Sequence, residues 1–285
     1  MVINIDDGRD PRLAVYAGVR EPALLRDSGL FIAEGRFVVR RLLELPRLRV
    51  QSLLLNQAAL NALGDVLATP DAGTAVYVAT PEVITEATGF NMHRGCLAVA
   101  ERPTNLPVQT ILDHKAFVAV LERVVDADNV GSVFRSAEAF GVEAVLLSPG
   151  CCDPFYRKAL RTSSGAALVV PCAAAAPWPD TLDSLRAAGF VVLAMTPHEH
   201  ATDIGEFVNT AAASGRVAVL LGTEGQGLTE EALAHADVRI RIPMSGTLDS
   251  LNIATAAGIA LHRLHEVRAR GQGRDLLHEG TKGTK

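Results

Sequence analysis

The stretch DNVGSVFRSAEAFG, residues 128–141, decides the fold together with the apolar run AFVAVLERVV that precedes it at 116–125. An apolar run that leads into a helix-forming segment predicts a strand that turns into a helix. In open parallel sheets ligands bind at such turns, beyond the carboxyl end of the strand. The three closely spaced glycines of a dinucleotide fingerprint are missing, and one Asn, one Gly and one Arg stand in their place. The turn therefore predicts a ligand site of another type.

Length and composition set the outer bounds. With 285 residues, 48% of them hydrophobic, the chain can form two cores of ordinary size. No window approaches about 18 consecutive apolar residues. The N-terminus MVINIDDGRD carries acids where a secretory signal carries bases, so we expect a cytoplasmic protein without a membrane segment. The net charge of −5 weighs against nonspecific binding of polyanions, and the four cysteines, with no C-x-x-C pair, are expected to stay reduced.

Short helix and strand patterns alternate through residues 1–105 and predict a small α/β domain. One of them, AEGRFVVRRLLEL at 33–45, predicts a helix with Phe37, Val38, Leu42 and Leu45 along its apolar side. The proline-containing segment ERPTNLPVQT at 101–110 is the expected linker.

Residues 106–285 predict a second domain with longer strands. Six apolar runs separated by helix-length segments indicate a mostly parallel sheet with helices on both faces. The runs are residues 117–124, 143–148, 167–171, 190–195, 217–221 and 238–243. The polar, glycine-rich tail, residues 267–285, is expected to be flexible.

Two further turns have unusual sequences. In VAVLLGTEGQGL, residues 217–228, a strand is followed by three glycines with Glu224 between them. The spacing G-x-x-G-x-G and the negative charge disfavour a nicotinamide or flavin site, because the charge would stand where the phosphates bind. In VRIRIPMSGTLDSLNIATAAGIALHRL, residues 238–264, a strand leads through a loop to a helix that Ser250 is expected to cap.

The three turns together resemble the motifs of the TrmH (SpoU) family of RNA ribose 2'-O-methyltransferases, in the SPOUT superfamily. The family patterns N-x-G-x-x-x-R, G-x-E-x-x-G and I-P-M-x-G-x-x-x-S-L-N match, in order, Asn129, Gly131 and Arg135; Gly222, Glu224 and Gly227; and Ile242, Pro243, Met244, Gly246, Ser250, Leu251 and Asn252. The resemblance covers residues from about 20 to 266. It implies S-adenosylmethionine as cofactor, a homodimer, a trefoil knot in the C-terminal sheet, and a substrate-binding role for domain 1–105.

The resemblance also implies a catalytic set: Asn129, Arg135, Glu224, Ser250 and Asn252. The family assigns the arginine as general base, but a guanidinium is normally charged throughout the accessible pH range. Arg135 is therefore either that base or a clamp on an RNA phosphate, in which case Glu224 or water accepts the proton. Asn129 and Ser250 also have structural interpretations, as an Asx turn and a helix cap.

By the same resemblance, the residues expected to contact the cofactor are Thr196, Gly222, Ile242, Met244 and Leu251. Ordinary core packing is the alternative for Ile242 and Leu251. Basic residues expected to bind RNA phosphates are Arg36, Arg40, Arg41, His93, Arg94, Arg157, Lys158 and Arg161. The histidines in HEH, residues 198–200, and the pair at 262 and 265 lack a third ligand at metal-site spacing, so no metal is expected.

The sequence thus predicts an enzyme that uses S-adenosylmethionine to methylate a ribose 2'-hydroxyl in structured tRNA or rRNA. One alternative is a catalytically silent RNA-binding protein of the same fold. The other is a nucleotide-cofactor oxidoreductase.

Overall fold

A computed structural model describes residues 2–17, 26–67, 73–91, 95–245 and 249–279, with side chains as far as Arg270. His93, Arg94 and Gly246 of the sequence prediction lie outside the described residues. The chain divides into two compact units. The N-terminal unit contains residues 1–104 and 153–168, and the C-terminal unit contains residues 105–152 and 169–285.

The described residues form twelve strands, numbered in chain order. They are β1 Val2–Ile5, β2 Leu30–Glu34, β3 Val50–Leu55, β4 Ala75–Ala79, β5 Cys96–Glu101, β6 Phe117–Glu122, β7 Ala144–Leu147, β8 Cys172–Ala174, β9 Val191–Met195, β10 Thr202–Asp203, β11 Val217–Gly222 and β12 Val238–Arg241.

Twelve α-helices are likewise formed by the described part of the chain. They are α1 Ala14–Ala17, α2 Arg36–Leu43, α3 Gln57–Ala62, α4 Gly64–Leu67, α5 Pro81–Thr88, α6 Val108–His114, α7 Ala127–Ala139, α8 Arg157–Thr162, α9 Asp180–Ala187, α10 Ile204–Phe207, α11 Glu230–Ala234 and α12 Ile253–Glu279. Short 3-10 helices span Pro11–Leu13, Ala166–Leu168 and Ala211–Ser214.

The sheet of the N-terminal unit has five strands in the order β1-β4-β3-β5-β2. Strands β1, β4 and β3 are parallel, whereas β5 runs antiparallel to both β3 and β2. Leu54, Leu97 and Val99 from the centre of this sheet pack with Tyr16 and Ile84 from the helices. The mixed sheet and its helices form the small α/β core that the sequence predicted.

The prediction for α2 is partly wrong. Residue 37 was expected on the apolar side, but Phe37 is 64% exposed. The helix starts at Arg36, after Ala33 and Glu34 have completed β2. The buried side of α2 therefore consists of Val38, Val39 and Leu42, and Phe37 points away from it.

Residues 153–168 were predicted in the second domain but belong to the N-terminal unit. The Phe155 ring lies 5.2 Å from the Phe31 ring, between centroids, and Arg157 pairs with Glu34 of β2. The run ALVVP at 167–171 straddles this boundary, which explains why it is not the predicted strand. Its first two residues complete a 3-10 helix of the N-terminal unit, and the strand forms later, as β8.

The sheet of the C-terminal unit has seven strands in the order β10-β12-β9-β11-β6-β7-β8, and every neighbouring pair is parallel. The chain leaves β6 toward β7 and β8 on one side and later inserts β11 on the other side. The order therefore reverses between β6 and β11, and in such sheets a crevice forms at the carboxyl ends of these strands. The parallel α/β sheet is confirmed, and the trefoil knot stays a prediction.

Helices cover both faces of this sheet. On one face, Val118, Val120 and Leu220 pack with Leu112 of α6 and Leu185 of α9. Successive strand residues point to opposite faces, so Phe117 lies on the other side. There the guanidinium of Arg268, in α12, stands 5.0 Å from the centroid of the Phe117 ring.

The last helix is longer than the sequence indicated. Residues 267–285 were predicted to be flexible, but α12 continues through Glu279, and residues 280–285 lie outside the described part. Leu261 and Leu264 are fully buried, which anchors the helix before the glycine-rich segment begins. Adding one turn to a formed helix costs far less than starting a new one, so the anchored helix extends into the polar tail.

Candidate active site

The first turn of the site joins β6 to α7. Asp126 caps the helix, because its Oδ1 accepts hydrogen bonds from the backbone nitrogens of Asp128 at 2.8 Å and Asn129 at 3.0 Å. Asn129 therefore lies inside the first turn and is 8% exposed. The capping role that was the structural alternative for Asn129 belongs to Asp126, which leaves the Asn129 side chain available for another contact.

The second turn is a closed loop after β11. The backbone nitrogen of Gly227 donates to the carbonyl of Thr223 at 3.0 Å, and these two residues form an isolated bridge. Gly225 has a φ of 82° and Gly227 a φ of 69°, which is the left-handed region that favours glycine. The glycines thus fold the loop back on itself and put Glu224 at its tip.

The third turn leads into α12, and its cap is Asn252 rather than Ser250. The Oδ1 atom of Asn252 accepts from the backbone nitrogens of Ala254 at 2.8 Å and Thr255 at 3.4 Å. The helix begins at Ile253, so Asn252 is the flanking residue whose side chain can reach the free N–H groups. The prediction that Ser250 caps the helix is wrong, and Ser250 is exposed beside the cap.

Asn252 also connects the three turns. Its Nδ2 atom donates to Oδ1 of Asn129 at 3.2 Å and to Oε1 of Glu224. One amide thus caps α12 through its oxygen and joins α7 to the glycine loop through its nitrogen. The Asn129–Asn252–Glu224 network brings together three of the five residues predicted to be catalytic.

A cleft of about 490 Å³ opens at this network. Its volume lies within the range of small-molecule sites, and half-buried Ile242 and Leu251 contribute apolar surface to it. Neither of these side chains is in the fully buried core, which was their alternative assignment. The predicted residues that line the cleft are Thr196, Gly222, Glu224, Ile242, Met244, Ser250, Leu251 and Asn252.

Arg135 is the member of the predicted catalytic set that stands apart. It is exposed on α7, six residues after Asn129, which corresponds to about 9 Å along a helix. It does not line the cleft of its own chain. The Arg135 side chain makes no hydrogen bond or ion pair with any residue that the structure describes, so its guanidinium is available to a ligand.

The arginines predicted to bind RNA are mostly engaged within the N-terminal unit. Arg40 binds both carboxylate oxygens of Asp65, at 2.6 and 2.8 Å. Arg157 pairs with Glu34, and Arg161 stands 3.5 Å from both oxygens of the same carboxylate. Arg41 donates to the carbonyl of Ser164 at 3.2 Å, and Lys158 is half-buried on the helix of Arg157. The Arg36 side chain is exposed and has no hydrogen bond or ion pair within the described ranges.

Some residues of the site were missed by the sequence prediction. Pro197, His198 and Gln226 also line the cleft, and they flank predicted positions without carrying a motif of their own. Glu122 lies opposite Gly222 in the sheet and is only 1% exposed. The signal that could have identified Glu122 is an acidic residue near the end of the otherwise apolar run FVAVLERV.

Within the described residues, no three His, Cys, Asp or Glu side chains lie close enough together to bind a metal ion. None of the helices in this part of the chain combines the length and hydropathy that crossing a membrane requires.

The chain is similar to known RNA methyltransferases. Residues 116–262 match the model of the SpoU rRNA methylase family. An uncharacterised tRNA/rRNA methyltransferase of Mycobacterium tuberculosis is 43% identical over 92% of this chain and 91% of that protein. The 23S rRNA (guanosine(2553)-2'-O)-methyltransferase RlmP of Bacillus subtilis is 26% identical over 83% of this chain and 89% of that protein.

Solved structures agree with these relatives. The crystal structure of an AdoMet-bound rRNA methyltransferase from Sinorhizobium meliloti superposes with a TM-score of 0.77 at 26% identity. The superposition covers 93% of this chain and 98% of that one. The family match spans the strands, turns and helices that build the cleft, and the chain belongs to the SpoU rRNA methylase family of RNA methyltransferases.

Proposed function

We propose that the cleft binds S-adenosylmethionine and that the enzyme methylates a ribose 2'-hydroxyl in a structured tRNA or rRNA. The observation that carries this proposal is a cleft lined by the second and third turns, to which the first turn is joined because Asn252 links Asn129 to Glu224. The 2'-O specificity in the name of RlmP supports the ribose 2'-oxygen as the methylated atom. The AdoMet-bound structure of the Sinorhizobium meliloti enzyme supports S-adenosylmethionine as the cofactor.

The cleft suits a ligand with one flat apolar part and one charged part. Half-buried Ile242 and Leu251 offer apolar surface to an adenine ring, and the closed backbone of the glycine loop offers polar groups nearby. S-adenosylmethionine, when bound, supplies an electrophilic methyl group on a sulfonium. The protein residues then orient the ribose hydroxyl toward that methyl group and exclude water from the cleft. Positioning of the reactants is a large source of rate acceleration.

We assign proton removal to Glu224, directly or through water, and phosphate binding to Arg135. Glu224 lines the cleft, and Asn252 binds its Oε1 atom, which fixes the orientation of the carboxylate. Asn129 fixes Asn252 in turn. Arg135 is exposed, and its side chain has no partner among the described residues, as a phosphate clamp requires. A guanidinium also offers several N–H donors and no acceptor, which suits a phosphate.

We infer that the N-terminal unit recruits RNA and that the enzyme works as a homodimer. Of the predicted RNA-binding residues that the structure describes, Arg36 is exposed and has no side-chain hydrogen bond or ion pair with another described residue. Ile259 is 37% exposed on α12 beside the small residue Gly258, a combination that suits close approach of a second copy. Light scattering would test the dimer, and a monomeric mass at micromolar concentration would reject it. The proposed action on tRNA or rRNA also implies a cytoplasmic location, where these RNAs are present.

A labelling experiment tests the proposed reaction. Purified enzyme is incubated with S-adenosylmethionine labelled in its methyl group and with RNA from cells that lack the gene. We expect label in RNA at a defined ribose, recognised because a 2'-O-methyl group blocks alkaline cleavage of the adjacent phosphodiester bond. Arg135→Ala should reduce the transfer rate at least about 100-fold, which corresponds to roughly 2.7 kcal/mol of transition-state stabilisation.

The control is cofactor affinity. Arg135 does not line the cleft, so Arg135→Ala should bind S-adenosylhomocysteine within about twofold of wild type, measured by calorimetry. Label on a base would contradict the ribose assignment, and RNA binding with no transfer under any condition would favour a silent RNA-binding protein. Tight NAD binding, without binding of S-adenosylhomocysteine, would favour the oxidoreductase.

A further inference from the structure

Glu122 is a buried carboxylate that the reaction described above does not use. It ends β6, lies opposite Gly222 in the parallel ladder with β11, and is 1% exposed. No Arg, Lys or His of the described residues forms an ion pair with it. The negative charge is therefore held inside the C-terminal unit by neutral groups.

Three hydrogen bonds reach this carboxylate. The indole Nε1 of Trp178 donates to Oε1 at 2.9 Å, and the backbone nitrogen of Thr229 donates to Oε2 at 2.9 Å. The hydroxyl of Thr229 lies 2.7 Å from Oε1 and accepts from the backbone nitrogen of Ala232 at 3.2 Å, so its own proton points to Glu122. All three groups donate, and the carboxylate serves them only as an acceptor.

Stability alone does not account for a charge in this place. Burial of a carboxylate without a cation is costly, and an apolar side chain of similar volume fills such a position without that cost. Two of the three bonds fix the position of Thr229 relative to the end of β6, and the third fixes the Trp178 ring. The function of Glu122 should therefore be sought in the segment that contains Thr229.

That segment is the end of the glycine loop. The loop leaves the sheet at Gly222, folds back, and reaches Thr229, whose side chain caps α11. A Cβ atom at Gly222 would overlap the backbone of Gly227 and Leu228, so the two arms of the loop are in close contact. Residues 222–228 and Glu230 line the cleft, and Glu122 is tied to both ends of this segment: to Gly222 through the ladder and to Thr229 through its side chain.

We propose that Glu122 is a positioning residue that holds the loop Gly222–Thr229 in the conformation that binds S-adenosylmethionine. The inference rests on the proposed function, because it takes the cleft as the cofactor site. The carboxylate touches no residue of the Asn129–Asn252–Glu224 network by any described hydrogen bond, so it acts through the loop and not on the reacting atoms.

The test compares two carboxylates that accept hydrogen bonds near opposite ends of β6: Glu122, which ends the strand, and Glu143, which precedes β7. Glu122→Gln keeps size but turns an NH₂ group toward donors that need an acceptor. Glu143→Gln is the matched control, because Oε2 of Glu143 accepts from the backbone nitrogens of Ala116 at 2.7 Å and Phe117 at 2.9 Å, at the amino end of β6. By calorimetry of the full-length protein, Glu122→Gln should bind S-adenosylhomocysteine at least about tenfold more weakly, and Glu143→Gln within about twofold of wild type.

Kinetics separate positioning from a general loss of structure. Glu122→Gln should raise the KM for S-adenosylmethionine about tenfold while kcat at saturating cofactor stays within about threefold of wild type. Trp178 is the single tryptophan of the chain, so its emission reports whether its bond to Glu122 is present. The emission should change in Glu122→Gln and not in Glu143→Gln.

A folded Glu122→Gln variant with wild-type affinity for S-adenosylhomocysteine would overturn the inference. If that variant does not fold, Thr229→Val removes one donor to Glu122 together with the side-chain cap of α11, and is expected to weaken binding about threefold to fivefold. Wild-type affinity in Thr229→Val would then overturn it as well. Failure of the wild-type protein itself to bind S-adenosylhomocysteine would be a different result, which rejects the proposed function and this inference together.

Discussion

Asn129, Glu224 and Asn252 are bonded to one another at the edge of a cleft, whereas Arg40, Arg157 and Arg161 are bonded to acids of their own unit. The first group uses part of its hydrogen-bonding capacity to fix its geometry and leaves the rest for a ligand. The second group has its charge largely compensated before any RNA arrives. The comparison teaches that a polar residue becomes a candidate for function when its partners orient it without neutralising it.

Among the variants that test this comparison, Asn252→Ser has the largest expected effect, and it tests the cleft side. Asn252→Ser keeps an oxygen for the cap of α12 but is too short to reach Asn129 and Glu224. Loss of a bond to a charged group costs roughly 1.5 to 3 kcal/mol, so we expect kcat/KM to fall about 10- to 100-fold. Thermal unfolding should change little in Asn252→Ser, whereas Asn252→Ala, which also loses the cap, should be destabilised by about 1 kcal/mol. Wild-type kcat/KM in Asn252→Ser would mean that the network does not orient the site.

The matched pair Arg157→Ala and Arg36→Ala tests the other side. The Arg157 and Glu34 side chains are 21% and 11% exposed, so removal of Arg157 leaves a nearly buried carboxylate with the weaker partner Arg161. We expect Arg157→Ala to lower the free energy of unfolding by about 2 kcal/mol, measured by urea denaturation. Arg36→Ala should leave that free energy unchanged within about 0.5 kcal/mol.

RNA affinity should reverse the order of this pair. Arg36 is exposed and unpaired among the described residues, so Arg36→Ala should weaken RNA binding severalfold and reduce its salt dependence by about one ion. Filter binding at several salt concentrations measures both quantities. Equal loss of RNA affinity in the two variants, with no loss of stability in Arg157→Ala, would remove the distinction between compensated and available arginines.

The smallest effect concerns the pair of Arg40 and Asp65. The hydrogen bonds from Arg40 lower the pKa of Asp65 to about 2. A carboxyl with a lowered folded pKa stabilises the protein above its unfolded pKa of about 4, and this contribution is lost as the pH falls toward 2. The free energies of unfolding of wild type and Arg40→Gln are measured in low salt at both pH values. Their difference should be small at pH 6, because the pair is exposed, and should vanish near pH 2. A difference that does not depend on pH would contradict the assigned pairing.

The loops of the site were predictable because their chemistry is local. Gly225 and Gly227 need positive φ, Glu224 stands among glycines without a packing reason, and each turn follows an apolar strand. The carboxyl ends of parallel strands meet at one edge, so three such turns were expected to converge. Two of these turns supply seven predicted residues of the cleft lining, and Thr196, which follows β9, is the eighth.

Other features could not be predicted, since they depend on partners far away in the sequence. Asn252 is the cap of α12, because the helix begins one residue later, while local pattern favoured Ser250. Arg161 pairs with Glu34, which is 127 residues away in the sequence, and Arg40 pairs with Asp65, which is 25 residues away. A count of local charges therefore does not show that acids neutralise these arginines. The segment 153–168 joins the N-terminal unit through contacts such as Phe155 with Phe31.

The sequence by itself determined the family, the parallel α/β class of the C-terminal unit and the loops that carry the chemistry. Hydrophobic periodicity and glycine-dependent backbone conformations are properties of neighbouring residues, and these features depend on them. Tertiary structure alone decided which polar groups are compensated, which amide links the three turns, and that Glu122 is tied to the end of the glycine loop. Those outcomes depend on hydrogen bonds between distant segments, and only the folded chain brings such segments within about 3 Å of one another.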